Sequence, residues 1–131
     1  RTVNIDCDVI QADGGTRTAA ITGSYVALNQ ALQILVKNRV LTQVPLLCPV
    51  AAISVGILND ELLLDLCYEE DFAADVDFNV VLTSQGGLVE IQGATEADPF
   101  PRHQVDEVLS LASRGMESLF RVQREATQGF S

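Results

Sequence analysis

The sequence predicts an α+β fold in which helices pack on a mostly antiparallel sheet. Two long segments, near the start and at the end, repeat apolar residues at steps of three and four, which is the period of a helix. Between them lie short runs of strand character, separated by tight-turn signals such as Asn59-Asp60. With 131 residues, of which 47% are hydrophobic, the chain is long enough for one domain and too apolar for disorder.

The first predicted elements are a strand and a helix. Apolar and polar residues alternate from Thr2 to Asp13, and a period of two is typical of a half-buried strand. The glycines at 14 and 15 indicate a turn, because glycine adopts backbone angles that other residues avoid. Thr16 to Asn38 is predicted as a helix, with Gly23 as a weak point inside it. The apolar face of this helix contains Ile21, Tyr25, Leu28, Leu32 and Leu35.

The rest of the chain predicts two hairpins and a last helix. Val40 to Pro49 is predicted as a connector, because its two prolines disfavour regular structure. Asn59-Asp60 and Ser84 to Gly87 are the predicted turns of the hairpins. A turn over Glu96 to Phe100 precedes the last helix, Arg102 to Ala126. The predicted strands are Val50–Leu58, Glu61–Tyr68, Phe78–Thr83 and Leu88–Gln92.

Charge and cysteine content narrow the classes of function. The net charge of −10 argues against a non-specific nucleic-acid binder, because such binding depends on Lys and Arg meeting phosphates. The three cysteines are too few and too far apart for a disulfide framework or a CxxC metal site, so a cytoplasmic location is expected. No apolar run approaches the roughly 20 residues that span a bilayer, and we expect no membrane association.

Residues 13–18, Asp-Gly-Gly-Thr-Arg-Thr, form the first candidate site. They lie between the first predicted strand and helix, where free backbone amides and the helix dipole favour an anion. Arg17 adds a planar fork that matches phosphate oxygens, and Thr16 adds a hydroxyl donor. The alternative is a tight turn in which Thr16 caps the helix and Arg17 is solvated. The stretch is neither a P-loop nor a GxGxxG motif.

An acidic segment forms the second candidate site. Clustered carboxylates repel one another, and a divalent cation such as Mg²⁺ relieves that repulsion with one or two carboxylates, water and substrate phosphates. The alternative is a solvated acidic loop. Asp71 and Asp77 would lie about 20 Å apart in a straight strand, so they can share a cation only if Phe72 to Val76 turn or bulge. The members of this segment are Asp65, Glu69, Glu70, Asp71, Asp75 and Asp77.

Five stretches together resemble the bacterial ribonuclease PH family. The most specific are residues 5–23, which contain Cys-Asp-Val-Ile-Gln-Ala-Asp-Gly-Gly-Thr-Arg-Thr, and residues 64–81, which contain the acidic segment. The others are residues 50–57, residues 89–93 and Pro99-Phe100, so nearly the whole chain matches. The resemblance implies a ribonuclease PH-like fold, which is of the ribosomal protein S5 domain 2-like type.

The resemblance also implies a function and its residues. The family is phosphorolytic: its members are 3′-to-5′ exoribonucleases (tRNA nucleotidyltransferases) that trim precursor tRNA and other structured RNA, such as rRNA. They use inorganic phosphate and release nucleoside diphosphates. Gly15, Thr16 and Arg17 match the phosphate-binding motif of the family. Asp71 and Asp77 match its two catalytic aspartates, which are associated with Mg²⁺. Implied partners are RNA, phosphate and further copies in a hexameric ring of dimers.

Family members are roughly twice as long as this chain. The chain lacks an initiator Met and begins in strand-like alternation, so we expect residues 1–131 to be the C-terminal part of one ribonuclease PH-like domain. The missing part would hold a further phosphate-binding arginine and most of the basic RNA contacts, which would account for the acidic charge. Alternatives are an exosome core subunit, a polynucleotide phosphorylase core, or a non-catalytic fragment or scaffold of such a ring.

Overall fold

A computed structural model describes residues 2–95 and 98–128 of the chain. Three helices and four strands are present within these ranges, which confirms the predicted α+β class. The predicted turn at Glu96–Phe100 lies partly outside the described residues, since residues 96 and 97 are not among them. In chain order the elements are α1 (Thr16–Lys37), β1 (Val50–Leu58), β2 (Glu61–Leu64), α2 (Tyr68–Ala73), β3 (Val76–Thr83), β4 (Leu88–Thr95) and α3 (His103–Gln128).

The four strands form one antiparallel sheet with the order β2-β1-β3-β4. Strand β1 is central and is buried along all but its end residues, because helices and neighbouring strands surround it. In the register between β1 and β3, Ser54 pairs with Asn79 and Gly56 pairs with Asp77. Successive side chains of a strand point to opposite faces, so these four residues share one face of the sheet.

The hydrophobic core lies on the other face, under α3. Alternate residues of β1 and β3 point towards one side of α3, whose buried residues recur at the helical period. Burial of this apolar surface is the main favourable contribution to the fold. The buried core residues are Ala51, Ile53, Val55, Ile57, Val76, Phe78, Val80, Leu82, Val108, Ala112, Met116 and Phe120.

Helix α1 is joined to the sheet and to α3 by polar contacts. The Thr22 hydroxyl donates to the Ala52 carbonyl at 3.1 Å and accepts from the Ala52 amide at 3.0 Å. The Gln123 side-chain amide nitrogen donates to the Thr22 and Val50 carbonyls, both at 3.0 Å. Thr22, Ala52 and Gln123, here called the polar network, therefore fix α1 beside the start of β1.

By length and composition alone, α1 is apolar enough to cross a membrane, with a mean hydropathy of 1.2 in its most apolar window. This differs from the expectation that no apolar run is long enough to span a bilayer. In the fold, however, α1 packs against β1 and α3, and Gln30 donates to the carbonyl of Ala126. Its outer side carries Ile34 and Leu35, which are exposed. The polar contacts explain why this helix belongs to the packed domain.

The prediction of a strand over Thr2–Asp13 was wrong. Residues 2–13 contain neither helix nor strand, and residues 2–12 are exposed. A strand needs a hydrogen-bonded partner, and no described strand of this chain pairs with the segment. It runs beside α1 instead, where the Cys7 sulfur lies 3.0 Å from the Ser24 hydroxyl oxygen. The alternation of apolar residues is therefore present without the inter-strand hydrogen bonds that form a sheet.

The second hairpin strand and the acidic segment also differ from the prediction. Strand β2 ends at Leu64, and the chain then turns through Asp65, which has a positive φ of 60°. The acidic residues that follow form α2, which the sequence analysis did not predict. The Glu70 carboxylate accepts from the amide of Cys67, which closes a capping box at the start of this helix. The remaining boundaries differ from the predictions by a few residues.

Candidate functional site

A small cleft of about 170 Å³ opens on the face of the sheet opposite α3. It brings together all five predicted site residues, which come from the start of α1, from α2 and from β3. The structure adds Ser54, Phe78 and Asn79, for which the sequence analysis gave no role. The complete lining is Gly15, Thr16, Arg17, Ser54, Asp71, Asp77, Phe78 and Asn79.

The N-terminus of α1 forms the first wall of the cleft. Gly15 is the N-cap residue, with φ 71° and ψ 31°, a left-handed conformation that favours glycine. No side chain caps the helix, and Thr16 is its first helical residue, so the alternative in which Thr16 caps the helix is wrong. The first turn carries no acidic residue. Its backbone amides have no partner within the helix and are available to an anion.

Two contacts fix this turn against α2. A Cβ on Gly14 would lie 2.2 Å from the Leu66 carbonyl oxygen, so only glycine permits the observed approach of the two backbones. One Asp13 carboxylate oxygen accepts from the Gly14 amide at 2.8 Å and from the Tyr68 amide at 2.7 Å. The bonds from Tyr68 and then Gly14 lower the pKa of Asp13 below 3.8, because they favour the charged carboxylate. Asp13 thus holds the start of α2 beside the start of α1.

Arg17 forms an ion pair with Glu90 of β4 that the sequence analysis missed. The two terminal guanidinium nitrogens lie 2.9 and 3.0 Å from the two carboxylate oxygens, which is a bidentate arrangement. The side chains are 50% and 40% exposed. No local signal could have found this pair, because 73 residues separate its members. Any anion that binds Arg17 meets a guanidinium already in contact with a carboxylate.

Asp71 and Asp77 supply two carboxylates to the lining of the cleft, here called the carboxylate wall. Helix α2 ends at Ala73, Ala74 is extended, and β3 starts at Val76, so the chain turns between the two aspartates as cation sharing requires. Neither carboxylate has an ion-pair partner among the described residues. The described part of the chain holds no group of three or more Asp, Glu, His or Cys residues arranged for a metal. Two carboxylates fit Mg²⁺ when water and phosphate supply its other ligands.

The other acidic residues of the segment do not line the cleft. The Asp75 carboxylate accepts from the Asn59 amide at 3.1 Å, on the hairpin turn between β1 and β2. Glu70 serves the capping box of α2.

The thiol sulfur of Cys67 accepts a hydrogen bond from the Glu70 backbone amide, which by itself lowers the pKa of the thiol. Desolvation and the neighbouring glutamates outweigh this hydrogen bond, so the pKa of Cys67 is raised. A protonated thiol is a poor nucleophile or metal ligand.

Comparisons with known proteins show the family of the chain. Residues 48–115, just over half of the chain, match the model of the 3′ exoribonuclease family, domain 2. Ribonuclease PH of Synechococcus sp. (strain CC9605) is 56% identical over 126 residues, which are 96% of this chain and 51% of that protein. Ribonuclease PH of Corynebacterium efficiens is 54% identical over 125 residues, 95% of this chain and 51% of that protein.

The fold has a counterpart among solved structures. The crystal structure of rice (Oryza sativa) Rrp46 matches with a TM-score of 0.64 and 19% identity, covering 92% of this chain and 50% of that one. This likeness concerns the fold alone. The chain spans about half the length of the curated relatives that it matches. By the family model and the two relatives, the chain belongs to the 3′ exoribonuclease family that its resemblance to ribonuclease PH implied.

Proposed function

We propose that the chain carries the catalytic part of a phosphorolytic exoribonuclease, which shortens RNA from its 3′ end with inorganic phosphate and releases nucleoside diphosphates. The observation that carries this proposal is the shared cleft, which the α1 N-terminus with Arg17 lines together with Asp71 and Asp77. One wall offers donors to an anion, and the other offers carboxylates to a cation. Attack by phosphate on a phosphodiester needs both.

The proposed roles follow from the chemistry of the two walls. The amides of the first turn of α1 and the Arg17 guanidinium bind and orient phosphate. A phosphate oxygen then forms a bond to the phosphorus of the terminal nucleotide, and the bond from that phosphorus to the preceding 3′ oxygen breaks. The leaving 3′ oxygen takes up the proton that the attacking hydrogen phosphate loses. Asp71 and Asp77 would hold Mg²⁺, which supplies positive charge against the scissile and leaving oxygens. The protein acts by orientation and electrostatics.

We further propose that the substrate is the 3′ end of precursor tRNA and related structured RNA. The proposed setting is a cytoplasmic hexameric ring, in which residues 1–131 are the C-terminal part of each ribonuclease PH-like domain. The net charge of −10 supports a division of labour in which the basic RNA contacts lie in the half of the relatives that has no counterpart here. The 131-residue chain alone is then expected to bind RNA poorly and not to complete a turnover.

An RNA trimming assay tests the proposal. The chain is incubated with tRNA carrying a short 3′ trailer and Mg²⁺, with and without phosphate, and the released nucleotide is identified. The same assay is run on the chain joined to the N-terminal half of a ribonuclease PH. Nucleoside diphosphates that require phosphate and disappear in Asp71→Asn support the proposal. Asp75→Asn is the matched control, because Asp75 lies in the same acidic segment but outside the cleft.

Two other results would redirect the interpretation. Nucleoside monophosphates released without phosphate would mean hydrolysis and would contradict phosphorolysis. No product from either chain would favour the alternative, a non-catalytic scaffold subunit of an exosome-like or polynucleotide phosphorylase-like ring. Light scattering of the same samples separates a monomer from a ring and therefore tests the proposed assembly independently of activity.

A further inference from the structure

Ser54 contributes a buried hydroxyl to the lining of the cleft. It lies in the middle of β1 and is 5% exposed. A Cβ placed on Gly15 would lie 3.5 Å from its oxygen, so the hydroxyl borders directly on the N-terminus of α1. It shares the cleft lining with Asp71 and Asp77. No other serine or threonine of β1 or β3 lines this cleft.

The hydrogen bonds of Ser54 leave one donor unused. The Leu66 amide donates to the hydroxyl oxygen at 3.1 Å, so the oxygen acts as an acceptor on that side. No acceptor for the hydroxyl hydrogen is present among the described residues. A hydroxyl has one hydrogen to donate, and a buried donor without an acceptor is unfavourable by about 1–3 kcal/mol. The side towards Leu66 is occupied and the residue lines the cleft, so the hydroxyl hydrogen is free to point into the cleft.

We propose that Ser54 is a ligand of inorganic phosphate, whose oxygen accepts the unused hydroxyl hydrogen. This inference rests on the proposed function, since it assumes that phosphate binds at the start of α1. Donors then converge on the anion from two elements, the amides and Arg17 from α1 and the hydroxyl from β1. The carboxylates of Asp71 and Asp77 in the same cleft can only accept hydrogen bonds, so they cannot replace this donor.

Ser54 also has a structural role that the test has to separate from ligand binding. Its oxygen and its backbone carbonyl accept from the amides of Leu66 and Asp65, which lead into α2 and hence to Asp71. If the hydroxyl acts only through these structural bonds, its loss would disturb the position of Asp71 and weaken cation binding. Loss of a direct donor would weaken phosphate binding even without any metal.

The test is a titration of the 131-residue chain with inorganic phosphate in metal-free buffer, followed by ³¹P NMR. A separate titration with Mn²⁺ reports on the carboxylate wall. The variants are Ser54→Ala, Ser54→Thr, which keeps the hydroxyl, and Ser54→Cys, which keeps the shape with a weaker donor. Ser110→Ala on α3 is the matched control, because Ser110 is exposed and donates to the carbonyl of Asp106, away from the cleft.

The expected result is a loss of phosphate affinity of about tenfold in Ser54→Ala, since a hydrogen bond to a charged group is involved. Ser54→Cys is expected to bind at an intermediate affinity, whereas Ser54→Thr and Ser110→Ala stay within about twofold of the parent chain. Mn²⁺ affinity is expected to stay unchanged throughout. Thermal melts identify any variant that does not fold, and the Cys and Thr variants then carry the comparison.

Two results would overturn the inference in distinguishable ways. If Ser54→Ala and Ser54→Cys bind phosphate as tightly as the parent, or lose Mn²⁺ affinity along with phosphate affinity, Ser54 is structural and the proposed function stands. If the parent chain binds no phosphate, or binds it equally well in Arg17→Ala, the anion site itself is wrong. In that case the proposed function and the role of Ser54 fall together.

Discussion

The ion pair between Arg17 and Glu90 is expected to compete with phosphate for the same guanidinium hydrogens. Glu90→Gln keeps the shape of the side chain and removes its charge. Both partners are about half exposed, so the pair contributes only about 0.5 kcal/mol despite its bidentate geometry. The variant is therefore expected to lose about 0.5 kcal/mol in free energy of unfolding. For a domain of this size that loss lowers the melting temperature by about 2 °C.

Removal of the ion pair is expected to strengthen phosphate binding by a similar free energy. An anion that no longer has to displace a carboxylate gains up to about 0.5 kcal/mol, which corresponds to a roughly twofold higher affinity. Glu90→Gln and the parent chain are compared by ³¹P NMR titration with phosphate and by thermal melting. Glu125→Gln is the control for net charge, because Glu125 is exposed and has no ion pair among the described residues. A clear decrease in phosphate affinity would refute competition and would mean that Glu90 orients Arg17.

Three further perturbations test the packing and charge of the molecule. Gly14→Ala is expected to lower the free energy of unfolding by about 2 kcal/mol in urea melts, because its Cβ would collide with the Leu66 backbone. Gly23→Ala, which meets no atom within 4 Å, is expected to raise it by about 0.5–1 kcal/mol, and equal effects would contradict this contrast. Because hydrogen bonds lower the pKa of Asp13, the stability that its charge provides is complete above pH 3.8 and is lost as the pH falls through the folded-state pKa. Urea midpoints of the parent and Asp13→Asn are therefore expected to differ at pH 7 and to converge at lower pH, and a constant difference would exclude a role for this charge. Filter binding of single-stranded RNA at low salt is expected to show weak binding by this chain, and tight binding would contradict the proposed division of charge.

The sequence alone predicted the parts of the site whose chemistry is local. The glycines at 14 and 15 and the start of α1 are adjacent in the chain, so turn and helix signals locate the candidate anion site without a structure. The resemblance supplied Asp71 and Asp77. The sequence did not predict the turn between them and showed only that a shared cation would require one. The ion pair of Arg17 with Glu90 and the position of Ser54 beside the start of α1 depend on strand register and helix packing, which no local pattern encodes.

The two errors in secondary structure have different physical causes. Residues 2–13 have the alternation of a strand, but alternation shows only which faces a strand would have and not whether a partner is present. Helix α2 has six residues, which is too short for a periodic pattern, and its glutamates resemble those of a solvated loop. The lone serine in the apolar strand β1 was the one signal that could have drawn attention to Ser54.

The polar network has a consequence for the order in which the chain folds. Gln123 donates to the Thr22 carbonyl across 101 residues, whereas the hairpin of β3 and β4 needs only a short loop. Contacts between distant residues form late, because the intervening chain must first lose its freedom. On the ribosome, α1 is therefore expected to be fixed beside β1 only after α3 has been synthesised. A nascent chain that stops before α3 is expected to lack a fixed cleft, so the proposed RNA-cutting site would assemble only once α3 has emerged.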